Sequence, residues 1–219
     1  MGRYAIPIDD KLLDYLVANG SPPDDVMLDL AAETRTSFPD LITMQIGPEQ
    51  CAFMTILTKI IGVRHAVEVG TFTGMSSIAI ARGMMPDGKL ICLDVSDEFT
   101  ATARRYWERA GLGDWIELRL GDARESLDQL PDEPYLDLSF IDADKGGYQA
   151  YWDALVPRMR VGGVILVDNT LFSGQVADPA DTDANVEAIR QFNTYAAADE
   201  RVDLVIAPIG DGLTIARKR

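Results

Sequence analysis

The sequence has one histidine, His65, and two cysteines, Cys51 and Cys92. That set cannot build a multi-histidine metal site or a cysteine zinc site. It also excludes a disulfide framework. Any serine or cysteine nucleophile that needs a histidine base has only His65 to draw on. His65 precedes a strand, at the end away from a strand-end site, and reads as structural. Both cysteines fall in apolar segments and read as buried, inert thiols. Bases are scarce: 20 Lys and Arg face 35 Asp and Glu, a net charge of −15 with a pI near 4.4. So acidic a surface repels phosphate backbones and anionic lipid, so neither nucleic acid nor membrane is expected as a partner. No apolar run reaches the roughly 18 residues of a membrane span. The N-terminus lacks a cationic-then-apolar leader pattern, and a cytoplasmic location is expected.

What is present suits a soluble α/β protein. The 219 residues, 47% of them hydrophobic, can bury a large core. One domain over 1–219 is expected, with a helical cap over 1–62 and an α/β core over 63–219. Helices are expected over 9–18 and 24–34, and a third starts at Gly47-Pro48-Glu49-Gln50 and stops at Gly62. Beyond His65 the patterns alternate. Strands are expected over 66–69, 90–93, 115–120, 136–141 and 164–167. Helices are expected over 76–85, 99–110, 123–130, 148–159 and 183–198. Strands over 202–208 and 212–217 form a hairpin through Gly210-Asp211-Gly212. Strand–helix alternation implies a parallel, doubly wound sheet. Ligands then bind beyond the carboxyl ends of the strands.

Those ends are unusually polar. Glu68-Val69-Gly70-Thr71-Phe72-Thr73-Gly74-Met75-Ser76 follows the first strand. Its glycines allow a tight turn and close backbone approach to a ligand before a helix. Phe72 stands where a dinucleotide loop has its second glycine. No Gly-Lys-Ser/Thr follows, so it is no Walker loop. Asp94 ends the second strand and suits the two hydroxyls of a ribose. Gly121-Asp122-Ala123 follows the third. Ile141-Asp142-Ala143-Asp144-Lys145 follows the fourth, and Val167-Asp168-Asn169 the fifth. If those two strands are neighbours, Asp142, Asp168 and Asn169 converge as three oxygen ligands. Oxygen without nitrogen or sulfur selects magnesium, calcium or manganese. Lys145 is the candidate base beside them. Phe172 and Met44, in irregular segments, are candidate pocket walls.

In these residues the sequence resembles class I S-adenosylmethionine-dependent methyltransferases. The carriers are Glu68-x-Gly70-x-x-x-Gly74, Asp94 and Gly121-Asp122-Ala123. The 141–145 and 167–169 segments, with Met44-x-x-x-Pro48-Glu49-Gln50, narrow it to the cation-dependent O-methyltransferases, the caffeoyl-CoA and catechol group. The resemblance covers roughly 25–219. It implies a seven-stranded, Rossmann-like sheet of order 3-2-1-4-5-7-6 with the last strand antiparallel. It implies that Glu68, Gly70 and Thr71 hold the amino-acid part of the cofactor, with Ser76 beside its carboxylate. Asp94 would hold the ribose, Ala123 the adenine, and Ile46 would line the pocket; Asp142 would border the cofactor as well as the metal. Asp142, Asp168 and Asn169 would bind the cation, magnesium first. Lys145 would be the base, and Asp144 would touch substrate or metal-bound water. A homodimer is implied in the same way.

The expected reaction is methyl transfer from S-adenosylmethionine to one hydroxyl of a vicinal aromatic diol. The N-terminal helices and residues 171–176 are expected to close over the acceptor. Cys51-Ala52 and Gly147 depart from the family pattern, and Arg3 and Lys11 are the only cations before Arg35. These departures count against a coenzyme A ester as acceptor. Two rival readings stand beside methyl transfer. Asp94 would also suit a nicotinamide oxidoreductase, against which the missing middle glycine argues. A non-catalytic S-adenosylmethionine sensor would leave the acid–lysine–amide set surplus.

Overall fold

A computed structural model describes residues 6–219; Arg3 lies outside them. Three helices come first: α1 (Asp10–Asn19), α2 (Asp25–Ser37) and α3 (Pro48–Ile61). Asp9 and Asp24 cap the first two, accepting from Leu12 N at 2.9 Å and Met27 N at 3.1 Å. Pro48 opens α3, and Gly62 closes it in the left-handed region at φ 70. A 3-10 segment, Pro39–Met44, joins α2 to α3.

Strands and helices then alternate: β1 (His65–Val69), α4 (Met75–Ala81), β2 (Lys89–Asp94), α5 (Asp97–Arg109), β3 (Ile116–Leu120), α6 (Ala123–Asp128), β4 (Leu136–Ile141), α7 (Tyr148–Leu155), β5 (Met159–Val167), α8 (Ala184–Ala197), β6 (Val202–Ala207) and β7 (Leu213–Lys218). The sheet order is β3-β2-β1-β4-β5-β7-β6. β7 runs antiparallel to both β5 and β6, and the other pairings are parallel. This is the order the resemblance implied. β4 is buried along its whole length, as a central parallel strand covered on both faces must be. One apolar layer, with Met54, Ile78, Leu90, Trp107 and Phe140, packs α2 to α5 on one face. The other, with Leu127, Tyr148, Trp152, Ile165 and Phe192, packs α6 to α8 on the opposite face.

Three boundaries differ from the expected ones by four residues or more. α4 stops at Ala81 rather than 85, and Gly83 turns the chain where a Cβ would lie 2.5 Å from Thr58 Cβ. α7 stops at Leu155, because Pro157 has no N–H to continue it and a 3-10 turn follows. β5 starts at Met159 rather than 164. Met159 already pairs with Leu136, and Gly162 at φ 81 helps absorb the register shift that follows. Trp115 sits in a 3-10 turn just before β3. His65 is exposed at the N-terminal end of β1, 5.7 Å from the Tyr135 ring, on the edge away from the site. No described helix is long and apolar enough to cross a membrane.

Candidate active site

A cleft of about 970 Å³ opens over the carboxyl ends of β1, β2, β4 and β5. Its floor is the loop after β1. Gly70 adopts φ +90, and a Cβ there would sit 1.9 Å from the Asp142 carbonyl oxygen. Only glycine lets the β1 and β4 ends approach this closely. Phe72 is left-handed at φ 51, unusual for an aromatic. Asp94 holds that turn: Thr71 N and Phe72 N both donate to its Oδ2 at 2.9 Å, and Ser96 N donates to Oδ1 at 2.8 Å. The Phe72 ring packs edge-on against Phe99, centroids 5.0 Å apart, and tilted against Phe38.

Ile46, Gly70, Thr71, Ser76, Asp94 and Ala123 all line this cleft, as do Met44, Asp142, Asp144, Lys145, Asp168, Asn169 and Phe172. Glu68 does not. It is fully buried behind the loop, and neither carboxyl oxygen has a hydrogen-bond partner among the described residues. Burial pushes it up to about 7, and the nearby Ser76, Cys92 and Thr71 counter this only in part. The Thr71 hydroxyl is likewise buried and unpartnered. Unsatisfied polar groups under a glycine turn fit a loop built to meet a polar ligand.

β4 and β5 are neighbours, so their terminal residues do converge. Lys145 Nζ donates to Asp142 Oδ1 at 3.1 Å, to Asn169 Oδ1 at 2.6 Å and to the Tyr148 hydroxyl at 2.6 Å. The Tyr148 hydroxyl donates to the Asp168 carbonyl at 3.2 Å. Asn169 is left-handed at φ 54, which asparagine tolerates best after glycine, and its N–H donates to Asp168 Oδ1 at 2.7 Å. Burial raises Asp142 above the usual carboxylate range, and Lys145 opposes the rise. Asp168 is pushed up to about 7 by burial and by the charge of Asp142. Two crowded carboxylates and a carboxamide oxygen, bridged in part by an ammonium, form a cation-hungry, all-oxygen set. That donor set fits a hard dication.

Several cleft residues have no role that the sequence alone assigns. Gln50, part of a helix start and of the motif that narrows the resemblance, donates to Asp168 Oδ2 at 2.7 Å. The Tyr151 hydroxyl donates to Asp144 Oδ1 at 2.5 Å and is pushed far up by burial and that carboxylate. It packs over Gly147, where a Cβ would lie 2.6 Å from the ring. Asp211, from the β6–β7 hairpin, accepts from Ser173 N and shapes the Phe172 loop, in which Phe172, Ser173 and Gly174 are all left-handed. Tyr148 was findable from its place three residues after Lys145, at the start of α7.

Sheet order, glycine turn and strand-end acids together define a Rossmann-like methyltransferase. Residues 19–219 match the O-methyltransferase family, and the chain belongs to that family and is an S-adenosylmethionine-dependent enzyme. A caffeoyl-CoA O-methyltransferase of Petroselinum crispum is 33% identical over all of this chain and 95% of its own length. Tricin synthase 1 of Oryza sativa subsp. japonica is 37% identical over 80% of this chain and 75% of its own. The crystal structure of an O-methyltransferase from Bacillus cereus in complex with SAH superposes with a TM-score of 0.85 at 32% identity, covering 94% of this chain and 96% of that one.

Proposed function

We propose that the enzyme methylates one hydroxyl of a vicinal aromatic diol and depends on a divalent cation, magnesium first. The observation that carries this reading is Lys145, whose Nζ contacts Asp142, Asn169 and Tyr148 inside the cleft that the β1 loop lines. Asp142, Asp168 and Asn169 hold the cation, and Ser76, Asp94, Ala123 and the 70–72 backbone hold the cofactor. Glu68 stays buried behind that loop, outside the cleft lining. When bound, the cation would lower the pKa of the acceptor hydroxyl, and the cofactor would supply an electrophilic methyl group.

As the neutral amine, having first released one of its three protons to solvent, Lys145 accepts the hydroxyl proton at Nζ and becomes an ammonium again. Its contacts with Asn169 and Tyr148 fix that nitrogen in place, so little reorganisation is needed. Asp144, held by Tyr151, faces the acceptor side. Met44 and Phe172 both line the cleft and offer apolar surface to an aromatic acceptor. The relatives named for caffeoyl-CoA and tricin chemistry support an aromatic acceptor.

The test is methyl transfer to a simple catechol with S-adenosylmethionine and magnesium, with and without EDTA. Turnover lost with EDTA and restored by excess magnesium is the expected result. Full turnover in EDTA would remove the cation from the reaction.

A further inference from the structure

We propose that Gln50 is a positioning residue for Asp168, so that the N-terminal cap completes the cation site. This rests on the cation reading above. Asp168 is buried at 3% exposure, and each of its carboxylate oxygens receives one donor. Oδ1 receives the N–H of the next residue, Asn169, at 2.7 Å. That bond is local and leaves the carboxylate a rotation about Cβ–Cγ. The second bond, from Gln50 Nε2 to Oδ2 at 2.7 Å, removes it. A carboxylate fixed at both oxygens presents its remaining lone pairs in one direction.

Gln50 is itself held. It lies in the first turn of α3, at 2% exposure. Its amide packs on Gly210 of the β6–β7 hairpin, where a Cβ would lie 2.3 Å from Oε1. Gly210 is left-handed at φ 54, so a side chain is disfavoured there on backbone grounds as well. Three elements distant in sequence thus meet at one ligand: cap helix, strand end and hairpin. A carboxamide is needed at position 50. It can donate, whereas glutamate would set a third carboxylate beside Asp142 and Asp168.

The test is a Mn²⁺ titration in the presence of S-adenosylhomocysteine, read by the electron paramagnetic resonance of the free ion, on wild type, Gln50→Leu and Gly210→Ala. Affinity of the Gln50→Leu enzyme for Mn²⁺ is expected to fall about 10- to 100-fold, as for lost supporting bonds around metal ligands, with S-adenosylhomocysteine affinity unchanged. Gly210→Ala, which pushes the amide off Asp168, is expected to lower Mn²⁺ affinity too, and the double variant to be less than additive. A merely structural Gln50 would lower the melting temperature and leave Mn²⁺ affinity within about threefold of wild type, and that result overturns the proposal. Should Gln50→Leu not fold, Gly210→Ala reads the same contact by the same criterion. If wild type takes up no Mn²⁺, the cation reading falls and this proposal falls with it.

Discussion

Lys145 meets Asp142, Asn169 and Tyr148 at once, so its side chain is set before an acceptor arrives. Removing a positioned proton acceptor costs about 10² to 10⁴ in rate. Lys145→Ala should therefore lower kcat by that order while the S-adenosylhomocysteine Kd, by calorimetry, stays near wild type. Equal loss in both would make the lysine structural. Glu68 makes a different kind of prediction. Its folded-state pKa of about 7 lies above the ordinary 4.5, because burial disfavours the charge. Between those pH values the folded protein binds more protons than the unfolded chain, so the Glu68 contribution is intact below 4.5 and is lost as pH rises towards 7. The loss is up to about 3 kcal/mol. Glu68→Gln carries no such charge. Urea unfolding of the ligand-free protein should show Glu68→Gln gaining on wild type between pH 5 and pH 7.5. A difference that does not vary with pH would mean that Glu68 is not desolvated.

At the scale of elements, individual polar side chains join the cap and the Phe172 loop to their neighbours. Gln45 Nε2 donates to Thr34 Oγ1 at 3.0 Å and to Thr73 Oγ1 at 3.1 Å, joining the cap to the β1 loop. On the other wall, Arg190 of α8 donates to the carbonyls of Val176 at 3.0 Å, Asp181 at 2.7 Å and Gln175 at 3.0 Å, and to that of Asp178. One guanidinium thus gathers the chain that follows Phe172. Arg190→Met frees those carbonyls, each bond being worth about 1 kcal/mol. Steady-state kinetics should show the acceptor KM rising roughly tenfold with cofactor affinity unchanged; an unchanged acceptor KM would mean that the loop holds its shape without Arg190. The sequence could not show such ties. Apolar runs such as 136–141 mark strands, and polar residues just beyond them mark the site, because both signals are local. Strand neighbours are not local, and the 3-2-1-4-5-7-6 order came from resemblance. Gln50 and Asp168 are 118 residues apart, so their bond has no signature in either segment. The resemblance implied that Glu68 holds the cofactor, whereas burial inside β1 keeps its carboxyl out of the cleft lining. The early ends of α4 and α7 follow from Gly83 on Thr58 and from Pro157, effects weaker in pattern than the apolar run that continues past them.

Over the whole molecule, charge bears on the acceptor. The chain carries −15. Six aspartates line the cleft: Asp94, Asp122, Asp142, Asp144, Asp168 and Asp211. The lining cations among the described residues are Arg124 and Lys145. Arg124 is committed to Asp122, with Nη2 2.9 Å from Oδ2, and Lys145 to Asp142. On the proposed reading, a bound dication and a sulfonium would offset the acids that they contact. A coenzyme A ester brings several phosphate charges to the cleft and finds no uncommitted lining cation there. Low-dielectric walls around one sign of charge repel such a ligand over a distance. A neutral catechol meets no such barrier. Its kcat/KM should exceed that of a caffeoyl-type coenzyme A ester by about tenfold or more in low salt. The gap should narrow as salt shortens the screening length from about 30 Å at 0.01 M to about 10 Å at 0.1 M. A salt titration of both kcat/KM values decides it. A coenzyme A ester that is the better substrate at low salt would mean that cations outside the described lining reach its phosphates, and the acidic cleft would then have no part in choosing the acceptor.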